Sequence, residues 1–317
     1  MEQGQFSTRM AGVDVGKKHL DAAVHGLEDA VRVANTEAGI SELIAWLKAR
    51  EVGRVGFEAS GGYERRLRSS LDLVGLEVVV HQPMEVRRFA QLKRWRAKND
   101  RQDARLIAAA TAQVDAVKAA QDPRLAELAE RLTVYEHVTD QVATMKTFLE
   151  SVALEDQLAL LRAQIRTLEE VKAKLAADLL RRIKAEPDLL TRLGLLLSLP
   201  GVGPLVAAAL VIRMPELGAM RRGQAASLLG VAPFDRDSGQ WKGQRFIGGG
   251  RSRPRRLVYL AALAACRCSP TFKAFANRLL EHGKPKKLVL VAVMRKLIEA
   301  ANLVLSRQQP WLPSPTC

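Results

Sequence analysis

The chain has 317 residues, of which 48% are hydrophobic, and its formal net charge is +15 with a pI near 10.1. This length fits about two domains of roughly 100–200 residues each, and the charge favours nucleic acid as the partner, ahead of an anionic membrane surface. The apolar runs at 205–212 and 288–294 are far shorter than the roughly 20 residues of a membrane-spanning helix, and no signal peptide is expected. The odd count of three cysteines, with one C-x-C pair and no C-x-x-C spacing, argues against a disulfide framework and a zinc site, and the five histidines are scattered.

The first part of the chain alternates between strands and helices. Its hydrophobic periodicity predicts strands at 10–15, 20–24, 31–34, 54–58 and 77–81, and helices at 40–48, 63–74, 83–94 and 100–114. The order β-β-β-α-β-α-β-α is that of a ribonuclease H-like α/β fold, with a mixed sheet flanked by helices. We assign this domain to residues 1–118.

Four carboxylates of this domain lie where ligands of a metal ion are expected. Asp14 and Glu58 each end an apolar strand, and Asp100 and Asp103 are three residues apart on a predicted helix and so share one face. Hard carboxylate oxygens suit Mg²⁺ or Mn²⁺, and a pair of such ions can promote phosphodiester cleavage. A capping role for Asp14 and a salt-bridged face for the Asp pair are the alternatives. The segment 12–18 lacks P-loop spacing, so no nucleotide cofactor is expected.

Basic residues surround the Asp pair. Such a strip can hold a nucleic-acid backbone beside bound metal ions. The residues predicted to contact phosphates here are Arg94, Arg96, Lys98, Arg101 and Arg105.

The middle of the chain, residues 119–192, is predicted to form long helices. No glycine or proline occurs at 124–186, and a coiled-coil seam repeats at Leu154, Leu158, Leu161, Ile165 and Leu168. Such a hairpin either packs within one monomer or serves as a dimerisation arm, and we favour the arm.

The remaining residues, 193–317, are predicted to be mostly helical, with buried helices at 257–265 and 286–305. Leu199–Pro204 is similar to the turn of a helix-hairpin-helix element, whose glycines let amides approach a phosphate, although a plain turn fits too. Ser238 lies in Asp237-Ser238-Gly239, where a structural turn is also an adequate explanation. A basic segment follows that can steady a phosphate while serine attacks, with Lys242, Arg245, Arg251, Arg253, Arg255 and Arg256.

Taken together, these motifs resemble the DEDD-type insertion-sequence transposases, the bridge-RNA-guided recombinases. The first half is similar to their RuvC-like domain at residues 12–17, 58–63 and 100–104. The second half is similar to their C-terminal transposase domain at residues 199–204, 230–233, 237–239, 249–251, 283–287 and 294–297.

The resemblance implies roles that spacing does not give. Asp14, Glu58, Asp100 and Asp103 would hold Mg²⁺, and Ser238 would be the covalent nucleophile. The two domains would meet across subunits of a homo-oligomer, a dimer that becomes a tetramer in the synaptic complex. A structured noncoding guide RNA would pair with target and donor DNA. The setting would be a prokaryotic cytoplasm, at the nucleoid.

Three functions follow as hypotheses. The leading one is an RNA-guided serine recombinase that moves its own element. The second is a RuvC-type hydrolytic or junction-resolving nuclease that leaves Ser238 idle, and the third is a non-catalytic nucleic-acid scaffold with salt-bridged acids.

Overall fold

The computed structural model describes residues 9–95, 100–115, 122–234, 243 and 245–312. The chain forms two compact units, divided after residue 121. The described part of the long helices predicted at 119–192 belongs to the second unit, and their separate domain stays a prediction. None of the described helices is both long enough and apolar enough to cross a membrane.

The first unit is a five-stranded mixed sheet with helices on both faces. Strands in the order β3-β2-β1-β4-β5 build it, with β2 antiparallel to β1 and β3, and with β4 parallel to β1 and β5. The predicted order of elements is the observed one. Their bounds are β1 (Arg9–Val15), β2 (His19–Val24), β3 (Ala30–Ala34), α1 (Glu37–Lys48), β4 (Val52–Glu58), α2 (Arg65–Leu73), β5 (Glu77–His81), α3 (Pro83–Leu92) and α4 (Asp100–Thr111).

Alternation along β1 gives the sheet two different faces. Ala11, Val13 and Val15 point to one face and join a hydrophobic core to which α1 and α2 also contribute. The opposite face carries Gly12 and Gly56, and α4 lies directly on them. A Cβ on Gly12 would stand 2.2 Å from the Ala108 nitrogen and 2.3 Å from the Ala104 oxygen. Helix and sheet therefore meet backbone to backbone, which only glycine allows.

The second unit is mostly helical, as predicted. Its core is formed largely by α7, α8, α10 and α12, and its small two-stranded sheet is antiparallel. The elements are α5 (Pro123–Leu149), α6 (Glu155–Ala185), α7 (Pro187–Leu197), α8 (Pro204–Arg213), α9 (Gln224–Leu229), β6 (Pro233–Phe234), β7 (Phe246–Ile247), α10 (Ser252–Cys268), α11 (Pro270–Glu281) and α12 (Lys286–Arg307).

The leucine seam of α6 faces α5 of the same chain. Leu158 and Ile165 are buried in that pairing, and Lys146 on α5 forms an ion pair with Glu169 on α6 at 2.6 Å. Leu154, the first seam residue, precedes the helix and is exposed. The seam thus has a partner within one chain, and its use as a dimerisation arm stays a prediction.

The turn at Leu199–Pro204 is partly explained by packing. Gly201 has φ +77°, and a Cβ there would lie 2.4 Å from the Ala261 oxygen and 2.5 Å from the Ala265 nitrogen of α10. Gly201 is therefore required for helix contact. Gly203 has open space around it, so any approach of a phosphate to this turn is predicted at Gly203.

Candidate active site

Three of the four predicted carboxylates converge at one end of the first unit. β1 and β4 are parallel and aligned with Val13 opposite Phe57, so Asp14 and Glu58 follow side by side at their carboxyl ends. Both point to the face that also carries Gly12 and Gly56. Because α4 is laid on those glycines, its first turn brings Asp103 to the same place. The side chain of Asp100 lies outside the described residues.

The pKa of Glu58 reflects the proximity of these acids. Burial raises the pKa of its carboxyl above the ordinary value, and the negative charges of Asp14 and then Asp103 raise it further. Arg87 lowers that pKa by a smaller amount. Glu58 thus lies close enough to Asp14 and to Asp103 to be repelled by both, and a cation would relieve that repulsion.

The donor set fits a hard divalent ion in its chemistry, because carboxylate oxygens are the ligands that Mg²⁺ prefers. Among the residues that the structure describes, no three His, Cys, Asp or Glu side chains are gathered into a group that could hold a metal ion. Asp14, Glu58 and Asp103 therefore form an open set that Asp100 and a substrate phosphate would have to complete. The metal-binding assignment of all four residues stays a prediction.

A fifth acid lies beside the site. Asp21 on β2 is the cross-strand partner of Asp14, and it is only 4% exposed. Arg32, its own partner on β3, donates three hydrogen bonds of 2.9–3.1 Å to its carboxylate. The ion pair satisfies this buried charge. This ion pair was not predicted from the sequence, although an acid and a base at matching positions of adjacent strands are a signal for it.

The far end of α4 is fixed by a histidine. Thr111 donates its hydroxyl proton to the Ile107 carbonyl at 2.7 Å, so its oxygen can only accept from His81 Nε2, 2.9 Å away. Burial lowers the pKa of His81, against a smaller rise caused by Glu85. A neutral imidazole with its proton on Nε2 therefore ties α4 to β5 beside Gly56.

Two side chains fix the loops that follow β1 and β4. One carboxylate oxygen of Glu64 accepts from the Ser60 hydroxyl at 2.7 Å, the Gly62 amide at 2.8 Å and the Ser60 amide at 3.2 Å. Burial alone would raise the pKa of Glu64, but these hydrogen bonds lower it. Asn35 donates to the Gly16 carbonyl at 2.9 Å and the Tyr63 carbonyl at 3.2 Å, and so joins the two loops.

Ser238 belongs to the second unit, and its position is outside the described residues, as are those of Lys242, Arg96 and Lys98 and the side chain of Arg101. The flanks of the serine segment are described. Gly230 and Gly250 cross so closely that a Cβ on Gly250 would lie 2.2 Å from the Gly230 nitrogen. Arg255 donates to the Gly249 carbonyl at 2.9 Å and the Gly230 carbonyl at 3.2 Å. One side chain thus holds both ends of the segment together.

Arg255→Met should show what this clamp contributes. Two carbonyls lose a charged donor, so we expect the free energy of unfolding to fall by about 1–3 kcal/mol. Denaturant unfolding monitored by circular dichroism would measure it. Arg295→Met, at an exposed position of α12, is the control; an equal loss there would contradict a specific clamp.

Four of the arginines predicted to contact phosphates have acidic partners in the protein. Their side chains also keep some exposure, from 31% for Arg251 to 64% for Arg256. Arg94 is exposed and Arg245 lies just before β7. The phosphate contacts therefore stay predictions, and these four arginines also form ion pairs within the protein. The pairs are Arg105–Glu28, Arg251–Glu216, Arg253–Glu136 and Arg256–Asp140.

Comparison with known proteins identifies two matched segments of the chain. Residues 11–156 match a family model described as a transposase, the DEDD transposase domain of IS110. Residues 193–277 match a second model, described as the transposase of the IS116/IS110/IS902 family.

Two relatives match along nearly the whole chain. They are the pilin gene-inverting proteins of Moraxella bovis and Moraxella lacunata, each 25% identical over 96% of this chain and 98% of the relative. The predicted acids lie in the first matched segment, and Ser238 lies in the second. The chain thus matches the models of both transposase domains of the IS110 family, and these similarities support a DNA-processing enzyme of the transposase and recombinase class.

Proposed function

We propose that this chain cuts and rejoins DNA through a covalent bond to Ser238, assisted by divalent ions at Asp14, Glu58, Asp100 and Asp103. The observation that supports the role of divalent ions is the repulsion of the Glu58 carboxylate by Asp14 and Asp103 at one end of the sheet. The strand order and the place of α4 support a RuvC-like interpretation of the first unit.

The divalent ions would act by neutralising negative charge at the phosphate. Mg²⁺, or Mn²⁺ in its place, would neutralise the scissile phosphate and the leaving oxygen when bound. The protein's own contribution is to hold the carboxylates in place. β1 and β4 fix Asp14 and Glu58, while α4, seated on Gly12 and tied by His81, fixes Asp103.

The covalent bond to Ser238 would preserve the energy of the broken phosphodiester. The Ser238 hydroxyl attacks phosphorus, its proton leaves, and the bridging DNA oxygen departs and takes up a proton. A hydroxyl of the new DNA end then attacks the phosphoserine and releases the serine. One phosphodiester is exchanged for another, so no nucleotide cofactor is needed.

The relatives favour exchange over hydrolysis. A protein named for inverting a gene must rejoin the strands that it cuts, and these relatives align with the chain along almost its whole length. By the resemblance of the motifs, we propose further that a guide RNA selects target and donor DNA and that two subunits complete one site. The net charge of +15 suits a protein that handles several nucleic-acid backbones.

Ser238→Ala should abolish the covalent protein–DNA adduct. Purified protein, the noncoding RNA that flanks its gene and radiolabelled DNA of the element's ends would be mixed with Mg²⁺ and stopped in denaturant. Label that migrates with the protein on a denaturing gel measures the adduct. Ser306→Ala, an exposed serine on α12, should keep it.

Three other outcomes would contradict the proposed mechanism. Free nicked ends in wild-type and Ser238→Ala reactions alike would indicate the hydrolytic nuclease. Adducts that persist in Ser238→Ala would place the covalent bond on another residue. Activity that survives both Asp14→Asn and metal chelation would remove the role of the carboxylates.

A further inference from the structure

We propose that the Tyr63 ring is a stacking platform for a DNA base next to the phosphate bound at the carboxylates. This assignment rests on the proposed function, because it takes the acid set as the place where DNA is cut. It adds a binding role for a residue on the loop that follows Glu58, one of those acids.

The position of Tyr63 is fixed by its backbone. Its carbonyl accepts from Asn35 Nδ2 at 3.2 Å, and the same nitrogen donates to the Gly16 carbonyl at 2.9 Å. Gly16 is two residues beyond Asp14, and Tyr63 is five beyond Glu58. One amide group therefore holds the Tyr63 backbone beside the loop that follows Asp14.

The Tyr63 ring is not needed to hold that backbone. Tyr63 is 48% exposed, a large fraction for an aromatic residue at the edge of a folded unit. Its contact with Asn35 uses only the carbonyl, so the side chain can change without breaking the tie. An aromatic ring on a fixed backbone loses little entropy when it binds a flat ligand.

The neighbouring loop offers no ready phosphate cradle. The amides of Ser60 and Gly62 and the Ser60 hydroxyl all donate to the Glu64 carboxylate. These donors are therefore not free to bind a phosphate. A phosphate would instead be held by divalent ions at Asp14, Glu58 and Asp103, and what the loop offers the adjoining nucleotide is an aromatic side chain.

A nucleobase is the ligand that matches such a face. Bases stack on aromatic side chains with little regard to sequence, which suits an enzyme whose acids also read no base. A base held on Tyr63 would fix the rotation of the strand about the scissile phosphate. Its loss would therefore weaken binding and also misalign the reacting phosphorus.

The test uses full-length protein and a DNA oligonucleotide that carries a fluorescent adenine analogue, moved one position at a time through the sequence. Ca²⁺ replaces Mg²⁺ so that binding is measured without cleavage. Wild-type protein should quench the analogue at one position. Tyr63→Leu should lose that quench and weaken binding about 10-fold, while Tyr63→Phe should keep both, since the ring is retained. Tyr259→Leu, at a tyrosine 38% exposed on α10, should resemble wild type.

Among the variants, either of two results would overturn the proposal: quenching that persists in Tyr63→Leu, or a loss of quenching in Tyr63→Phe as large as in Tyr63→Leu. Equal melting temperatures among the variants would establish that all of them fold. Because the assay needs no cleavage, it can be repeated with Ser238→Ala. If wild-type protein quenches the analogue in the binding assay but forms no adduct in the gel assay, only the serine mechanism is contradicted. If it forms adducts but does not quench the analogue, only the stacking role is contradicted.

Discussion

Gly12→Ala is expected to destabilise the first unit by about 3 kcal/mol or more, because one added methyl group meets backbone that cannot move aside. The new carbon would stand 2.2 Å from the nitrogen of Ala108 and 2.3 Å from the oxygen of Ala104. Relief would require α4 to lift from β1. Since α4 carries Asp103, the same shift would separate it from Glu58 and should remove strand exchange as well.

Hydrogen exchange of peptides from α4, together with denaturant unfolding, would measure this effect. Gly194→Ala is the matched control. It adds the same methyl group inside α7, where nothing lies within 4 Å, and should instead stabilise by about 0.5–1 kcal/mol. Unchanged protection of α4 in Gly12→Ala would show that the helix is not seated on this glycine.

The same glycine marks what the sequence can and cannot predict here. The apolar run around Gly12 was enough to predict β1 and the place of Asp14 at its carboxyl end. The spacing of Asp100 and Asp103 was enough to predict a shared helix face. That α4 comes to rest on Gly12 and Gly56 depends on tertiary packing, because a glycine in a strand has several explanations and no local pattern selects among them.

The arginines illustrate the other limit. A run of cationic residues after Ser238 predicts phosphate binding, and the net charge supports that prediction. Arg253, however, pairs with Glu136, which lies 117 residues away, and Arg256 pairs with Asp140 at a separation of 116. Periodicity is a local property and carries no information about such distant partners. The charge pattern could therefore not separate structural arginines from those reserved for DNA.

Glu58→Gln is expected to reduce strand exchange by roughly 10²–10³-fold, the range seen when one electrostatic group of a catalytic centre is removed. It should also make the metal-free protein more stable. Burial raises the pKa of Glu58, as do the charges of Asp14 and Asp103, so folding brings the ionised carboxylate into an unfavourable place. The neutral amide of Gln keeps the shape and removes that repulsion.

The sign of the pH dependence follows from that raised pKa. The folded state binds the Glu58 proton more tightly than the unfolded chain does, so this contribution to stability is complete below the ordinary value of 4.5 and is lost as pH rises through the raised one. At neutral pH without divalent ions, Glu58→Gln should melt above wild type, by roughly 2–4 °C for each kcal/mol of repulsion relieved. The difference should vanish below pH 4.5.

Divalent metal should reverse that order of stability. Mg²⁺ binds the folded carboxylate set and raises the melting temperature of wild type, whereas the variant lacks one ligand and should respond less. Melting curves with and without Mg²⁺ would measure both effects, and Glu42→Gln, at an exposed position of α1, controls for the change of charge. A variant that melts below wild type without metal, yet gains as much from Mg²⁺, would mean that Glu58 serves the fold and not the ion. The opposed changes in stability and activity are the mark of a carboxylate held in place for a ligand, because a group kept only for folding would not be placed where its neighbours repel it.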